Sequence, residues 1–188
     1  MDLILLQPGD PAIFGSPNNW QTGGSLIDDQ WRDQILKLGQ CMELLSVHQG
    51  MQQQITTDVS NSARTSGRPI ITEFTCVKYV DKTSVKLYDY CLRAEPLGKG
   101  KDKPTKIYIA RNSGKNTANI LTMELRDAII SEIQFQTNAD DMPTEQFKLN
   151  FTEVLWTYTV QNAQTDSAGN MLAGWSVSRN RPIGQFTS

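Results

Sequence analysis

Residues able to do chemistry are few in this sequence. His48 is the one histidine among 188 residues. It has no second histidine with which to share a metal, and a Ser-His-Asp or Cys-His site would have to be built on it. It falls in a stretch that reads as a strand, where a surface or interface histidine is the simpler reading. No serine stands in the G-x-S-x-G setting of a nucleophile elbow. Cys41, Cys76 and Cys91 are odd in number, widely spaced and without a C-x-x-C pair. Reduced thiols are therefore expected, with no disulfide framework and no zinc ribbon. Gly114-Lys115 resembles the end of a phosphate loop, but Ile109 stands where the motif needs Gly and Asn116 where it needs Ser or Thr. Lys99, Lys101, Lys103 and Lys106 read as a solvated loop, and Asp140-Asp141 as turn residues, without calcium. Asn150-Phe151-Thr152 matches a glycosylation sequon but lies in an expected strand and carries no weight. Neither a catalytic group nor a metal or cofactor is expected.

Composition narrows the partners. The formal net charge of −2 lacks the basic excess of a nucleic-acid coat. No stretch approaches the ~20 apolar residues that span a bilayer, so membrane insertion is not expected. The opening MDLILLQPGDP has no basic n-region, so export by a Sec leader is not expected. The length fits one domain over residues 1–188.

The elements that would position these residues are mostly strands. Phe74 to Val80 is β-branched and aromatic; Asp81 to Ser84 then supplies helix-capping side chains. From Val85 the apolar stripe Val85, Tyr88, Cys91, Leu92 predicts a helix, stopped by Glu95-Pro96-Leu97-Gly98. Tyr88, Cys91 and Leu92 are its expected packing residues. Glu43 to Gln54 alternates as a half-buried strand, Asp58 to Gly67 reads as a polar loop, and Thr105 to Arg111 is a strand. Ile120 to Gln136 is one long curved strand, or two meeting near Arg126-Asp127-Ala128. Phe147, Leu149 and Phe151 keep odd parity, whereas Val154, Trp156, Tyr158 and Val160 keep even parity, so a bulge is expected at Thr152-Glu153. Met171 to Ser178 is the last strand, followed by a loose tail. Consecutive strands with short turns predict a mainly β fold, an antiparallel barrel with one flanking α-helix. A long loop, residues 8–40, joins the first two strands. It carries a short amphipathic helical pattern over Asp28 to Leu38.

Five short pieces in order carry a resemblance. They are Glu43-Leu44-Leu45-Ser46 before Gly50; Tyr79-Val80-Asp81-Lys82-Thr83-Ser84 with Leu87; Leu125 to Ser131; Leu149-Asn150-Phe151 with Val154, Trp156 and Tyr158; and Gly174-Trp175-Ser176-Val177. Together they resemble the haemolysin-coregulated protein (Hcp) family of bacterial type VI secretion. Val85 replaces the family's frequent Pro, Val47 its aromatic, and residues 8–40 are longer than is usual. The resemblance implies a two-sheet β-barrel whose copies form a hexamer, with rings stacked into a hollow tube. A contractile sheath drives such a tube, a spike protein tips it, and small effector proteins ride in its lumen. The chain would assemble in the cytoplasm and leave through the type VI apparatus. The rival classes are an enzyme and a monomeric β-barrel binding module. Some relatives carry an effector domain fused after the barrel, and none is expected after Trp175-Ser176-Val177; oligomeric state separates the binding module. The resemblance also tilts the reading of residues 8–40 toward a projection that stacks rings, with Phe14, Trp20 and Trp31 as the candidate contact residues. The alternative is a lid folded onto its own barrel.

Overall fold

The computed structural model describes residues 2–15, 39–58, 63–112, 117–161 and 167–188. Fifteen strands and one α-helix are found among them. Seven strands form the larger sheet: β1 (Asp2–Gln7), β2 (Met42–Leu44), β9 (Thr105–Asn112), β10 (Thr117–Arg126), β13 (Glu153–Gln161), β14 (Ser167–Ser176) and β15 (Arg181–Pro182). Their spatial order is β15-β14-β13-β10-β9-β1-β2. The smaller sheet has the order β11-β12-β8-β3, from β11 (Ile129–Gln136), β12 (Thr144–Asn150), β8 (Phe74–Tyr79) and β3 (Ser46–His48). Every pairing is antiparallel. The mainly β class with one helix is the expected one. Among the described residues the two sheets share a core without a strand ladder closing them into one cylinder.

Side-chain alternation builds that core. In β8, Phe74, Cys76 and Lys78 point inward; in β12, Glu145, Phe147 and Leu149 do. The larger sheet contributes Leu6, Met42, Leu44, Ile107, Met123, Leu125 and Val154. Phe74 and Phe151 stack at a tilt with ring centroids 5.5 Å apart. Fully burying one such side chain contributes roughly 1.5–3 kcal/mol.

The chain crosses between sheets at one corner. The long stretch Ile120 to Gln136 is two strands, because Asp127 adopts a left-handed φ of 49° between them. The parity change at Thr152-Glu153 is likewise a sheet-to-sheet crossing, not a bulge within one strand. β12 pairs with β11 and β8, whereas β13 pairs with β10 and β14. Thr152 donates its backbone N–H to Arg126 O (3.1 Å), and Val177 N–H donates to Thr152 O (2.9 Å), so neighbouring strands turn together. Residues 43–54 also divide. Met42 and Leu44 sit in the core from β2, Leu45 is exposed at the crossing, and β3 joins the smaller sheet.

An arm leaves the body after β3. β4 (Met51–Gln52) pairs with β7 (Ile70–Ile71), and β5 (Ile55–Asp58) with β6 (Ala63–Ser66). The stretch expected as a polar loop therefore contains one strand of a hairpin, held by backbone pairing.

Candidate assembly surfaces

The helix α1 (Ser84–Leu92) lies against the core through Ser84, Leu87 and Tyr90. These residues follow i, i+3 spacing, one position round from the expected stripe, a rotation of about 100°. Of the expected packing residues, Cys91 is partly buried against the core and Tyr88 is half-buried. Leu92 is 87% exposed and Val85 66%. The rotation has a polar cause that apolar periodicity could not reveal. Lys78 and Glu145 are opposed directly across β8 and β12, and both point into the core. Lys78 Nζ donates to Glu145 Oε1 at 2.9 Å and approaches Asp81 Oδ1 at 3.1 Å. Ser84 Oγ donates to the same Glu145 oxygen (2.8 Å), and Tyr88 Oη donates to Oε2 (2.9 Å). A buried carboxylate so satisfied draws the Ser84 and Tyr88 edge of the helix to the sheet, which leaves Leu92 facing out. Burial and the bond to Glu145 push the Tyr88 hydroxyl up to about 12.

This cluster brings a serine and a lysine within 3.3 Å, yet it cannot act as a Ser-Lys nucleophile. The ammonium is held by two carboxylates and the serine is sealed from solvent. Burial raises Cys41 and Cys76 to about 12, which removes both as thiolates. His48 is exposed at a cavity of about 430 Å³ near the base of the arm, beside Glu73, Thr75 and Lys148. Among the described residues no three His, Cys, Asp or Glu stand together to hold a metal. No helix among them is long and apolar enough to cross a membrane.

The candidate loop contacts divide. Phe14 closes a 3-10 turn (Pro11–Phe14) and, with Ile13, is buried in this chain's own core. It is not displayed for a neighbouring ring. Asp10 explains its position: its carboxylate accepts from Ala12 N–H (3.0 Å) and from Tyr90 Oη (2.7 Å), pinning the turn to the helix. The bond from Ala12 N–H, then that from Tyr90, holds this carboxyl below its ordinary range. Trp20 and Trp31 lie outside the described residues.

Two features were not found from sequence. The first is the tail. Burial alone would raise Glu153, but donors from Thr187, Arg126 and Ser176 hold it down at about 2. Thr187 N–H donates to Glu153 Oε2 at 2.9 Å, and Arg126 Nη1 donates to the same oxygen at 3.1 Å and to Thr187 O at 2.6 Å. The segment expected to be loose is tied to the corner. Its signal was absent because a single Thr at the end of a polar stretch has no periodicity. The second is the arm, whose Met51, Ile55 and Ile70 are exposed. Thr72 clasps its base: Gly50 N–H donates to Thr72 Oγ1 (2.7 Å), and Thr72 N–H donates to Gly50 O (2.9 Å). Arg68 Nη2 donates to Val177 O at 3.1 Å and fixes the arm against the body.

Exposed large apolar groups also occur at Phe135 and Met142, and at Tyr158, Met171 and Leu172 on β13 and β14. Such surfaces mark contact with other chains more often than chemistry.

Comparison with known proteins points to one family. The family model described as type VI secretion system effector, Hcp, matches residues 32–158. No curated protein matches the sequence. A solved structure titled as a type six secretion system protein is 18% identical; the match covers 97% of this chain and 100% of that one, with a TM-score of 0.76. An Hcp protein from Salmonella typhimurium is 19% identical over 97% of this chain and 99% of its own, with a TM-score of 0.64. A secreted Hcp protein from Pseudomonas aeruginosa is 14% identical over 94% and 99%, with a TM-score of 0.55. At these identities the structures speak for the fold.

Proposed function

Since this chain belongs to the Hcp family of type VI secretion, we propose that it is a subunit of the secreted inner tube, working by assembly rather than catalysis. Six copies close into a ring and rings stack into a hollow tube. Sheath and spike act on that tube from outside, and small effector proteins occupy its lumen. The observation that carries the reading is the family match over residues 32–158, which spans the arm, the helix and the central strands. The exposed apolar groups on β11, β13, β14 and the arm support it, since a subunit that worked alone would gain nothing by leaving them wet. Cyclic closure satisfies identical surfaces within the ring, and head-to-tail contact along the axis permits an open stack.

Native mass spectrometry of the purified protein tests this. The expected result is a species of about six chain masses. A monomer throughout the micromolar range overturns the reading and leaves a single-chain binding module in its place.

A further inference from the structure

Two oppositely charged sites lie at the two ends of the β11–β12 hairpin, and neither finds an ion-pair partner among the described residues. At one end the turn between these strands presents Asp140 and Asp141, both exposed. Among the described residues the carboxylate of Asp141 accepts only from the adjacent Met142 N–H. Phe135 (66% exposed) and Met142 (49%) flank the turn. At the other end, beyond Ile129 and Asn150, the corner carries a groove of about 510 Å³. Lys101, Arg179 and Arg181 line it with the apolar Ile183 and Phe186, and Ser188 lines it as well.

The groove is built into the fold. Lys101 follows Gly100, whose N–H donates to Asp127 Oδ1 at 2.7 Å. Arg179 and Arg181 follow β14, where Ser176 stands opposite Glu153. The tail that forms one wall is held by Thr187 on Glu153 and Arg126. The eight residues of β11 separate the two sites by roughly 20–25 Å at the rise of an extended strand.

We propose that the acidic turn of one copy docks into the cationic groove of the next, a head-to-tail contact between identical chains. The proposal rests on the reading of this chain as an assembling subunit. Sign, size and surroundings match: two carboxylates with flanking Phe135 and Met142 meet three cations with flanking Ile183 and Phe186. Guanidinium groups hold carboxylates by paired N–H donors, and exclusion of water by the apolar flanks strengthens those bonds. Because donor and acceptor sites are different surfaces of one chain, the contact is heterologous, the type that builds closed rings or open stacks.

Charge reversal tests it on the full chain, with association followed by sedimentation velocity over a concentration series. The acidic variant is Asp140→Asn with Asp141→Lys. Asn is chosen because Asp140 has a φ of 72°, which Asn tolerates. The groove variant is Arg179→Glu with Arg181→Glu. All four positions are exposed, so both variants keep the wild-type fold by circular dichroism. Each variant alone is expected to associate at least ~10-fold more weakly than wild type, and raised salt weakens the wild type in the same direction. The chain carrying all four changes recovers association, because its turn and groove are again opposite in sign. Wild-type association in either variant, or no recovery in the fourfold variant, overturns the contact. A groove variant that assembles normally but loses secretion assigns the groove to a different partner, which also overturns it. Wild-type protein that remains monomeric defeats the assembly reading itself.

Discussion

Lys78 and Glu145 illustrate how two residues fix an element. Lys78 stands fifth in the alternating FTCVKY and Glu145 second in TEQFKLN, and both positions are core-facing. Two charges taken from water cost several kcal/mol each, so the pair must be completed by Ser84, Tyr88 and Asp81. Replacing Lys78 with Met leaves Glu145 buried without its cation. Urea denaturation is expected to show a loss of about 3–5 kcal/mol. The double change Lys78→Met, Glu145→Leu is expected to recover most of that loss, since it removes both charges together. The helix face gives a second contrast. Leu87→Ala empties a fully buried site and is expected to cost about 2–5 kcal/mol, whereas Leu92→Asp is expected to stay within ~0.5 kcal/mol in the isolated subunit. Equal losses in the two variants contradict the orientation of α1 described above.

At the scale of elements, the corner decides the architecture. β10 continues into β11 and β12 into β13 by changing sheets, with Asp127 in the left-handed region and Arg126 opposite Glu153. Gly98 packs nearby without room for a side chain: a Cβ there would lie 2.2 Å from Lys103 O and 2.7 Å from Gly9 Cα. The lysine-rich segment is thus anchored by backbone contact, although its ammonium groups face water. The tail is closed by Glu153, whose carboxyl titrates at about 2 rather than its ordinary 4.5. A depressed carboxyl stabilises the fold fully above the ordinary value and loses that contribution as pH falls through the native one. Stability should therefore fall between about pH 4.5 and pH 2. Denaturation midpoints measured through this window should fall less steeply in Glu153→Gln. An identical pH slope in the variant means that the tail tie is not what titrates.

For the whole molecule, the body and the outer hairpin of the arm have separate supports. The body is one apolar core between two sheets; the base of the arm joins it through Ile71, the Thr72 clasp and Arg68, whereas β5 and β6 rest on their own ladder. Removing residues 55–66 and joining Gln54 to Gly67 through Asn-Gly should leave the denaturation free energy of the subunit within ~0.5 kcal/mol. Light scattering of the same variant should show weaker assembly, because the exposed Ile55 and its backbone ladder go with the arm. A large loss of subunit stability contradicts the independence of the β5–β6 hairpin. Unchanged assembly removes that hairpin from the contacts between copies.

The sequence by itself determined the β class, the helix after β8 and the shared parity of Phe147 and Leu149, opposite to that of Val154. Alternation along a strand is a local property, written residue by residue. The five matched pieces likewise lie within single elements or at their junctions, which is why the family was legible. Only the tertiary structure decided which sheet each strand joins, because parity changes in the same way at a bulge and at a crossing. It alone turned α1 to bury Leu87 and expose Leu92, since the Lys78 and Glu145 partners that orient it lie 67 residues apart. It buried Phe14, which the family resemblance had offered to a neighbour, and tied Thr187 to Glu153 across 34 residues. Charge pairing and hydrogen bonding between distant residues leave no period in a sequence, so folding has to bring the partners together before either can be recognised.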